Sequence, residues 1–433
     1  DVCSSDLGPL RYSPLNLSRW LVWSSFALAL IIAPLVFSSG SSVSLLSLMG
    51  TVMIFALSYN MLLGQSGMLS FGHAVYSGLG AFFAIHAINL ASRGVGLVPL
   101  TLVPLVGGIA GLLFGALFGY VTTRRAGTAF SMITLGIVEL VFACSLMFPG
   151  FFGGEGGISG NRVYGQPVLG ISFGPQIHVY YLIAFWLFIS TIAMFALAHT
   201  PLGRIANAVR DNPERAEFVG YDPQRVRFLM LMLSAFFAGI SGGLTAINFE
   251  IVSAENVSAA RSGAVLLFAF IGGTGVFFGP MLGAVIGVLL TVMLPELTKA
   301  WLLYLGLFFI MMVMYAPGGL ASLILMNVRL ASAGLMPRVL PAMLRLAAPL
   351  LIALAGFIML IEMTYRLSLD AAHGTSLHVF GISVEATAAP AWLCAIVMLL
   401  IGGIFFLKCR KPFLNVWGDA QAETERALRG GRR

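Results

Sequence analysis

The sequence predicts an all-α protein that crosses a membrane many times, with about 10–12 transmembrane helices. Hydrophobic residues make up 59% of its 433 residues, and charged residues only 9%. A soluble domain carries about 25% charged residues, so this chain lacks the polar surface that water requires. The mean hydropathy of +0.96 agrees with a chain whose solvent is a lipid bilayer.

Apolar segments of membrane-spanning length follow one another along most of the chain. A bilayer core about 30 Å thick needs about 20 apolar helical residues to cross it. Several segments are short or interrupted by glycine, which predicts that some of them are re-entrant halves. The candidate spans are 20–37, 43–63, 74–91, 97–122, 128–148, 179–198, 228–250, 259–277, 280–297, 301–316, 347–365 and 391–407.

The net charge of +7 has a topological meaning. With both termini in the cytoplasm and spans that alternate in direction, most basic residues fall in cytoplasmic segments, as the positive-inside rule requires. A nucleic-acid partner is therefore not predicted. The basic residues left outside are Arg93, Arg162, Arg261, Lys299 and Arg366.

Charge and apolar runs together divide the chain into a membrane-spanning core and a C-terminal extension. The core, 20–320, contains a Gly-rich external loop and a charged cytoplasmic loop. The predicted segments are a cytoplasmic N-terminal segment at 1–19, the external loop at 149–178, the cytoplasmic loop at 199–227, a basic cytoplasmic connector at 321–346, two extra transmembrane helices at 347–407 and a cytoplasmic tail at 408–433.

The cytoplasmic loop contains two helix-start signals and one stop. Thr200-Pro201 and Asn212-Pro213 each place a capping side chain before a proline, the residue favoured at the first helical position. Gly220 follows as a helix stop. We expect short helices at about 201–210 and 213–219. The loop is either an ordinary solvated segment or a docking element for a partner protein.

Glycines interrupt two apolar runs, at 64–72 and 272–283. Irregular backbone at membrane depth survives only where protein buries it or water lines it, so the breaks are candidates for a translocation path. Glycines that allow close helix packing are an equal alternative. The candidate path residues are Gly64, Gly67, Ser70, Gly72, His73, Glu139, Gly272, Gly273, Gly275, Gly279 and Pro280.

Two ionisable residues among these candidates have competing interpretations. Glu139 lies midway along 128–148, where a carboxylate is costly and usually faces a cavity. It could contact a substrate ammonium, carry a proton or be a partnered interior residue. A hydrogen-bonded structural role is the favoured interpretation of His73.

Motifs for intrinsic chemistry are missing from the sequence. The chain has no GxxxxGK[ST] string, which a phosphate-binding loop needs, and none of its lysines follows a glycine. It also has no HExxH string, no CxxC pair and no convincing Ser-His-Asp grouping. We therefore predict no enzyme activity and no metal site.

Four separated motifs between about 43 and 320 resemble, in the same order, those of LivM-type permease subunits of branched-chain amino-acid ABC importers. The cytoplasmic loop is also similar to the EAA loop of ABC permeases at Glu214, Ala216 and Gly220, with Arg215 replacing an alanine. The matching stretches are 60–74, 153–160, 200–242 and 272–283.

This resemblance implies the ABC importer permease fold and a subunit of the bacterial inner membrane that imports branched-chain amino acids or related small polar solutes. It implies two ABC ATPase subunits, a second related permease subunit and a periplasmic solute-binding protein. ATP would be bound by those ATPases, with no cofactor on this chain. The implied coupling residues are Gly203, Arg204, Arg210, Glu214, Ala216 and Gly220.

Two alternative functions stay open at the level of sequence. One is an ion-coupled secondary transporter that uses Glu139 as its intramembrane ionisable group. The other is an ABC permease for urea or amides, because those solutes use similar permeases.

Overall fold

The structure is a computed structural model that describes residues 17–94, 98–163, 172–316, 318–369, 376–379 and 382–430. Helices account for nearly all of this, and the strands are short. The helices are α1 Leu17–Val36, α2 Gly40–Asn60, α3 His73–Ser92, α4 Val103–Thr122, α5 Thr128–Met147, α6 Pro149–Phe152, α7 Gln176–His199, α8 Pro201–Asp211, α9 Pro213–Phe218, α10 Pro223–Phe249, α11 Ala259–Gly272, α12 Gly279–Leu297, α13 Trp301–Tyr315, α14 Gly319–Ser332, α15 Met336–Leu369 and α16 Ala389–Gly430.

Short elements complete the described chain. A π-helical segment, Met61–Gln65, extends α2, and 3-10 turns cover Leu100–Leu102, Gly154–Gly156 and Ala254–Val257. Strands β1 (Ile158–Ser159) and β2 (Ile251–Val252) pair antiparallel, with Ile158 opposite Val252. Strands β3 (Ser376–Val379) and β4 (Ile382–Glu385) form a second antiparallel pair.

The predicted all-α membrane fold is confirmed. Within the described residues, 9 helices are long and apolar enough to cross a membrane, and the number reaches 10 if the bent pair α13–α14 is one span. This meets the lower end of the predicted range. Trp20–Val36 and Ala259–Gly272 are further apolar helical stretches, each shorter than the length set for a full span. The chain is therefore a multi-pass membrane protein.

The N-terminal unit, Asp1–Ala269, is built around α3, α4 and α10. Glycines line their contacts, and a Cβ atom on Gly239 would collide with the carbonyl group of Gly107. Lipid tails are as apolar as side chains, so helices in a bilayer associate through close packing of small residues. These glycines bring the three helix backbones together.

Hydroxyl groups on α10 fix its position against α2. Ser234 Oγ donates to the Ser58 carbonyl at 2.6 Å, and Ser241 Oγ donates to the Thr51 carbonyl at 2.8 Å. Both serines are fully buried. Interhelical hydrogen bonds of this kind replace the water that a bilayer interior lacks.

The C-terminal unit, Phe270–Arg433, contains α12 to α16. Glu362 on α15 accepts hydrogen bonds from Thr298 Oγ1 at 2.6 Å and from Tyr304 Oη at 2.9 Å. The first of the two extra spans is therefore bonded to the α12–α13 region through a carboxylate.

The helices of this unit are longer than the sequence suggested. Helices α14 and α15 run through 321–346, where a connector was predicted, and α16 continues through the predicted tail to Gly430. An apolar cluster of Leu330, Val339 and Ala420 joins these segments, and Arg338 pairs with Glu423 at 3.2 Å. Packing between segments distant in sequence stabilises helices that local sequence signals do not predict.

Candidate functional site

The two predicted helices of the cytoplasmic loop are present as α8 and α9. Thr200 Oγ1 accepts a hydrogen bond from the Gly203 amide, and Asn212 Oδ1 accepts one from the Arg215 amide at 2.9 Å. Gly220 follows α9 with φ +94°, a left-handed conformation that favours glycine. The capping and stop signals in the sequence are therefore confirmed.

Helix α8 is amphipathic, with one side against the protein. Gly203, Ala206 and Val209 are buried, whereas Arg204 is exposed. A Cβ atom on Gly203 would lie 2.5 Å from the Leu197 carbonyl oxygen, so this glycine permits the tight turn from α7 into α8. The helix is held close to the end of a membrane span.

Helix α9 leaves an apolar surface uncovered. Ala216 is its only buried residue, and Glu214 is exposed. Phe218 and Val219 at its end are 90% and 71% exposed. Full burial of a phenylalanine is worth about 1.5–3 kcal/mol, which a two-turn helix can gain only from a partner.

Arg210 joins α8 to the first glycine break. Its Nη1 atom donates to the carbonyl oxygen of Gly64, and its Nε atom pairs with Asp211 at 2.9 Å. A Cβ atom on Gly67, which has φ +68°, would lie 2.7 Å from Arg210 Cγ. Two groups of residues that the sequence suggested separately therefore meet in space.

The non-helical part of the first break, residues 66–72, is held by side chains of neighbouring helices. Tyr59 Oη donates to the Ser70 carbonyl at 3.1 Å, and the Gly72 amide donates to Ser70 Oγ at 3.3 Å. Helix α5 also holds the first break. Thr134 Oγ1 accepts from the Phe71 amide at 3.1 Å, and Ser131 Oγ donates to the Leu69 carbonyl at 2.7 Å. Protein groups thus satisfy irregular backbone at membrane depth.

His73 is completely buried at the start of α3. Its Nε2 atom lies 3.0 Å from Ser58 Oγ, whose proton is donated to the Phe55 carbonyl at 2.7 Å. Ser58 must therefore accept from His73, which assigns the ring proton to Nε2. The Phe55 ring stacks on the imidazole, with centroids 5.5 Å apart. These contacts agree with the structural interpretation.

Glu139 is exposed on α5, on the side away from the core of this chain. Val138 and Val141 are buried on the other side of the helix, and Leu140 is exposed beside the carboxylate. The structure therefore does not bring Glu139 to His73. A carboxylate that points outward from a membrane span is costly unless a polar group or water reaches it.

The second predicted break is present between α11 and α12. Pro280 stands in the first turn of α12, and a Cβ atom on Gly272 would collide with the Gly279 carbonyl group. Gly273 has a similar close approach to Gly318, whereas Gly275 has open space around it. Close backbone packing explains most of these glycines.

Arg261 is a polar residue of the membrane region that sequence reasoning placed only among the external charges. It lies in the first turn of α11, and its guanidinium hydrogen-bonds to Asn256 and Thr245. Residues 254–262 fold back among the helices, because Ser262 Oγ accepts from the Ala74 amide at 2.9 Å. The sequence signal that could have identified Arg261 was an arginine next to serines at the start of an apolar run.

Comparisons with known proteins identify the family. A family model described as "Branched-chain amino acid transport system / permease component" matches residues 41–317. The chain belongs to this permease family. The matched region includes both glycine breaks, α8 and α9, and it confirms the resemblance inferred from the sequence motifs.

Two curated relatives of this permease carry the same description, high-affinity branched-chain amino acid transport system permease protein LivM. The protein of Salmonella typhimurium is 28% identical over 334 residues, covering 71% of this chain and 77% of the relative. That of Escherichia coli strain K12 is 28% identical over 305 residues, covering 65% and 70%. No solved structure matches this permease.

Metal-ligand clusters are missing from the part of the permease that the structure describes. No group of three or more His, Cys, Asp or Glu side chains there could hold a metal ion. Its polar features are instead hydrogen-bonded helix ends, the two breaks and isolated ionisable side chains.

Proposed function

We propose that this permease is the membrane subunit of an ABC importer that moves branched-chain amino acids into the cytoplasm, driven by ATP hydrolysis on partner subunits. The observation that carries the proposal is the hydrogen bond from Arg210 to Gly64. It joins a surface helix suited to docking with a break in the membrane spans. A push on α8 would reach the break directly, as alternating access requires.

Two ATPase subunits are the partners proposed for the cytoplasmic side, one of them binding α8 and α9 of this chain. The exposed Phe218 and Val219 supply an apolar contact, and Arg204 and Glu214 supply charge around it. Interfaces of this type have an apolar centre and a polar rim. Gly203, Ala216 and Gly220 shape the helices, and Arg210 transmits the movement. ATP binds to the partners, and this chain contributes no catalytic step.

A second, related permease subunit is proposed to cover the exposed side of α5. A carboxylate at the centre of a membrane span costs about 2.5–3.5 kcal/mol on insertion scales. Glu139 faces out of this unit, so a neighbouring subunit that offers a donor, a cation or a water-filled path would remove that cost. The proposed translocation path in this unit runs beside Glu139 and the first glycine break, with Gly64, Gly67, Ser70, Gly72 and His73. Gly272, Gly273, Gly275, Gly279 and Pro280 are proposed as flexible positions of the C-terminal unit.

The opposite end of the N-terminal unit is proposed to face the periplasm and a solute-binding protein. There β1 and β2 pair, and Arg162 donates hydrogen bonds to the Ile247 carbonyl at 3.3 Å and the Asn248 carbonyl at 3.1 Å. These backbone hydrogen bonds fix the surface, which suits docking of a solute-binding protein. The proposed location is the bacterial inner membrane with both termini cytoplasmic, as the distribution of basic residues indicates.

The C-terminal extension beyond the family region is proposed to act as an anchor. Its helices α15 and α16 pack on each other, and Glu362 bonds α15 to Thr298 and Tyr304. Neither helix belongs to the matched residues 41–317. Transport itself is therefore assigned to the core at 20–320.

Reconstitution in proteoliposomes tests the proposed function. The chain is co-expressed with its ATPase, second permease and binding-protein partners, and uptake of labelled leucine is measured with and without enclosed ATP. Uptake that depends on ATP and survives an uncoupler supports the proposal. Uptake by the purified chain alone, or its loss on collapse of the proton gradient at constant ATP, would support an ion-coupled transporter. Uptake of urea or amides in place of leucine would indicate the other solute class.

A further inference from the structure

Arg261 is a cationic side chain inside the helical bundle without an anionic partner. The residue is partly buried, and its guanidinium lies 5.9 Å from the centre of the Phe55 ring. Within the described part of the chain no carboxylate forms an ion pair with it. Glu255, which precedes Asn256 in the sequence, is exposed and also makes no ion pair with it. Among the residues that the structure describes, no anionic side chain therefore compensates this positive charge.

The position of Arg261 in α11 adds to this positive potential. It occupies the first turn of a 14-residue helix, whose N-terminal end carries the positive pole of the helix dipole. A cation there is unfavourable by about 0.3–1 kcal/mol, because it lies at the positive pole of the helix dipole. An anion bound beside it would be attracted by both the guanidinium and the dipole.

Neighbouring side chains hold the guanidinium in place. Asn256 Oδ1 accepts from one Nη atom, and Thr245 Oγ1 accepts from the other at 3.4 Å. Thr245 in turn donates to the Ser241 carbonyl at 2.8 Å, so its oxygen is free to accept from the arginine. A guanidinium has five N–H donors, and these two bonds use two of them.

The backbone around Arg261 is also fixed. Ser258 Oγ accepts from the Arg261 amide at 3.3 Å, and a Cβ atom on Gly78 of α3 would collide with the Val257 side chain and with the Asn256 backbone. Helix α5 packs against the turn Ala254–Val257. A fork of donors held by buried neighbours matches the planar geometry of a carboxylate.

We propose that Arg261, backed by Asn256 and Thr245, binds the carboxylate group of the transported amino acid on its way through this permease. This inference rests on the proposed function, because the solute class supplies the carboxylate. Recognition of a carboxylate common to all such solutes would leave their side chains unselected, which suits a subunit that receives solutes already chosen by a binding protein.

Two measurements on the full-length chain test the proposal: thermal melting of the complex with its ATPase and second permease partners, without the solute-binding protein, and uptake by the complete importer. L-leucine, L-leucinamide, which lacks the carboxylate, and potassium chloride at matched ionic strength are the probes for thermal stabilisation. Leucine should raise the melting temperature of the wild type and of the Arg338→Gln control, and should leave that of Arg261→Gln unchanged. Leucinamide and chloride should stabilise none of them. ATP-driven leucine uptake should fall at least about tenfold in Arg261→Gln, the typical loss for a charged hydrogen bond.

Further variants separate recognition from folding. Arg261→Lys retains the charge but loses the fork, so it should keep part of the stabilisation by leucine even if Arg261→Gln folds poorly. Equal stabilisation of wild type and Arg261→Gln by leucine, equal stabilisation by leucine and chloride, or unchanged uptake in Arg261→Gln would overturn the proposal. If the wild-type complex binds leucine through Arg261 but does not transport it, the carboxylate site stands and the proposed import function fails.

Discussion

Arg210 on α8 donates a hydrogen bond to the carbonyl oxygen of Gly64, a residue 146 positions earlier in the chain. The same side chain fills the space beside Gly67, whose missing Cβ makes room for it. A single arginine thus connects α8 with the π-helical segment Met61–Gln65 and with Gly67 just after it. In the proposed function this contact passes a movement of α8 to the first break.

Replacement of Arg210 by glutamine should separate ATP hydrolysis from transport. The hydrogen bond from a charged group contributes about 1.5–3 kcal/mol, less here because the arginine is partly exposed, so leucine uptake per ATP hydrolysed should fall about fivefold to tenfold. Uptake and ATPase activity are measured together in proteoliposomes. Arg329→Gln, an exposed arginine with no such contact, is the matched control. Equal losses of uptake and hydrolysis in Arg210→Gln would argue against a transmitting role.

Alanine at Gly67 should be far more damaging than alanine at Gly306. Gly67 combines φ +68° with the contact to Arg210, whereas a Cβ atom on Gly306 meets nothing within 4 Å. A left-handed alanine costs about 1–2 kcal/mol before the steric contact is added. Thermal melting in detergent should show the difference, and Gly306→Ala should melt like the wild type. Similar melting of both variants would mean that the loop adapts freely.

Phe218→Ala should weaken attachment of the ATPase and leave the permease itself intact. The side chain is 90% exposed, so its removal costs the isolated chain almost nothing. Loss of a central aromatic contact typically costs an interface about 2 kcal/mol or more, a roughly 30-fold change in affinity. Co-purification of the ATPase at increasing dilution measures this, with Val163→Ala as the control. ATPase retention at the wild-type level would place the docking contact elsewhere.

Glu139→Gln should reduce uptake several-fold while ATPase binding persists. In the proposed assembly the carboxylate faces a second permease subunit and the solute path. The variant removes this negative charge from the path, and uptake should fall for that reason. Glu296→Gln, at another exposed carboxylate on an apolar helix, is the comparison. A Glu139→Gln permease that melts at a higher temperature and transports normally would indicate that this face meets only lipid.

Valine at Gly239 should prevent correct packing of α3, α4 and α10. Its Cβ would overlap the Gly107 backbone, and overpacking of this kind costs about 1–3 kcal/mol or more. Gly403→Val in α16, where a Cβ meets nothing within 4 Å, is the control. The fraction of protein that elutes as a single species from size-exclusion chromatography in detergent should fall for Gly239→Val alone. An unchanged profile would show that the helices can separate without penalty.

Local features of the fold were predictable because their physical causes are local. Long apolar runs predict the spans, and the pairs Thr200-Pro201 and Asn212-Pro213 predict α8 and α9 to within a residue or two. Both glycine breaks were also evident. Each of these signals is contained in one continuous stretch of sequence.

Features that depend on distant contacts were not predictable. The Arg210–Gly64 bond, the Thr245 contact of Arg261 and the pairing of β1 with β2 join segments far apart in sequence. The outward direction of Glu139 was hidden because α5 is apolar on all sides, so hydropathy does not reveal its buried side. The extension of α16 required the contacts of Ala420 with Leu330 and Val339.

The pairing of β1 with β2 connects the segment near Ile158 to the segment that carries Arg261. Strand β2 leads directly into the turn that contains Asn256, which accepts a hydrogen bond from Arg261. In the proposed orientation β1 faces the periplasm, so a binding protein that displaces β1 would also displace Arg261. Docking of the binding protein and preparation of the carboxylate site would then be one event.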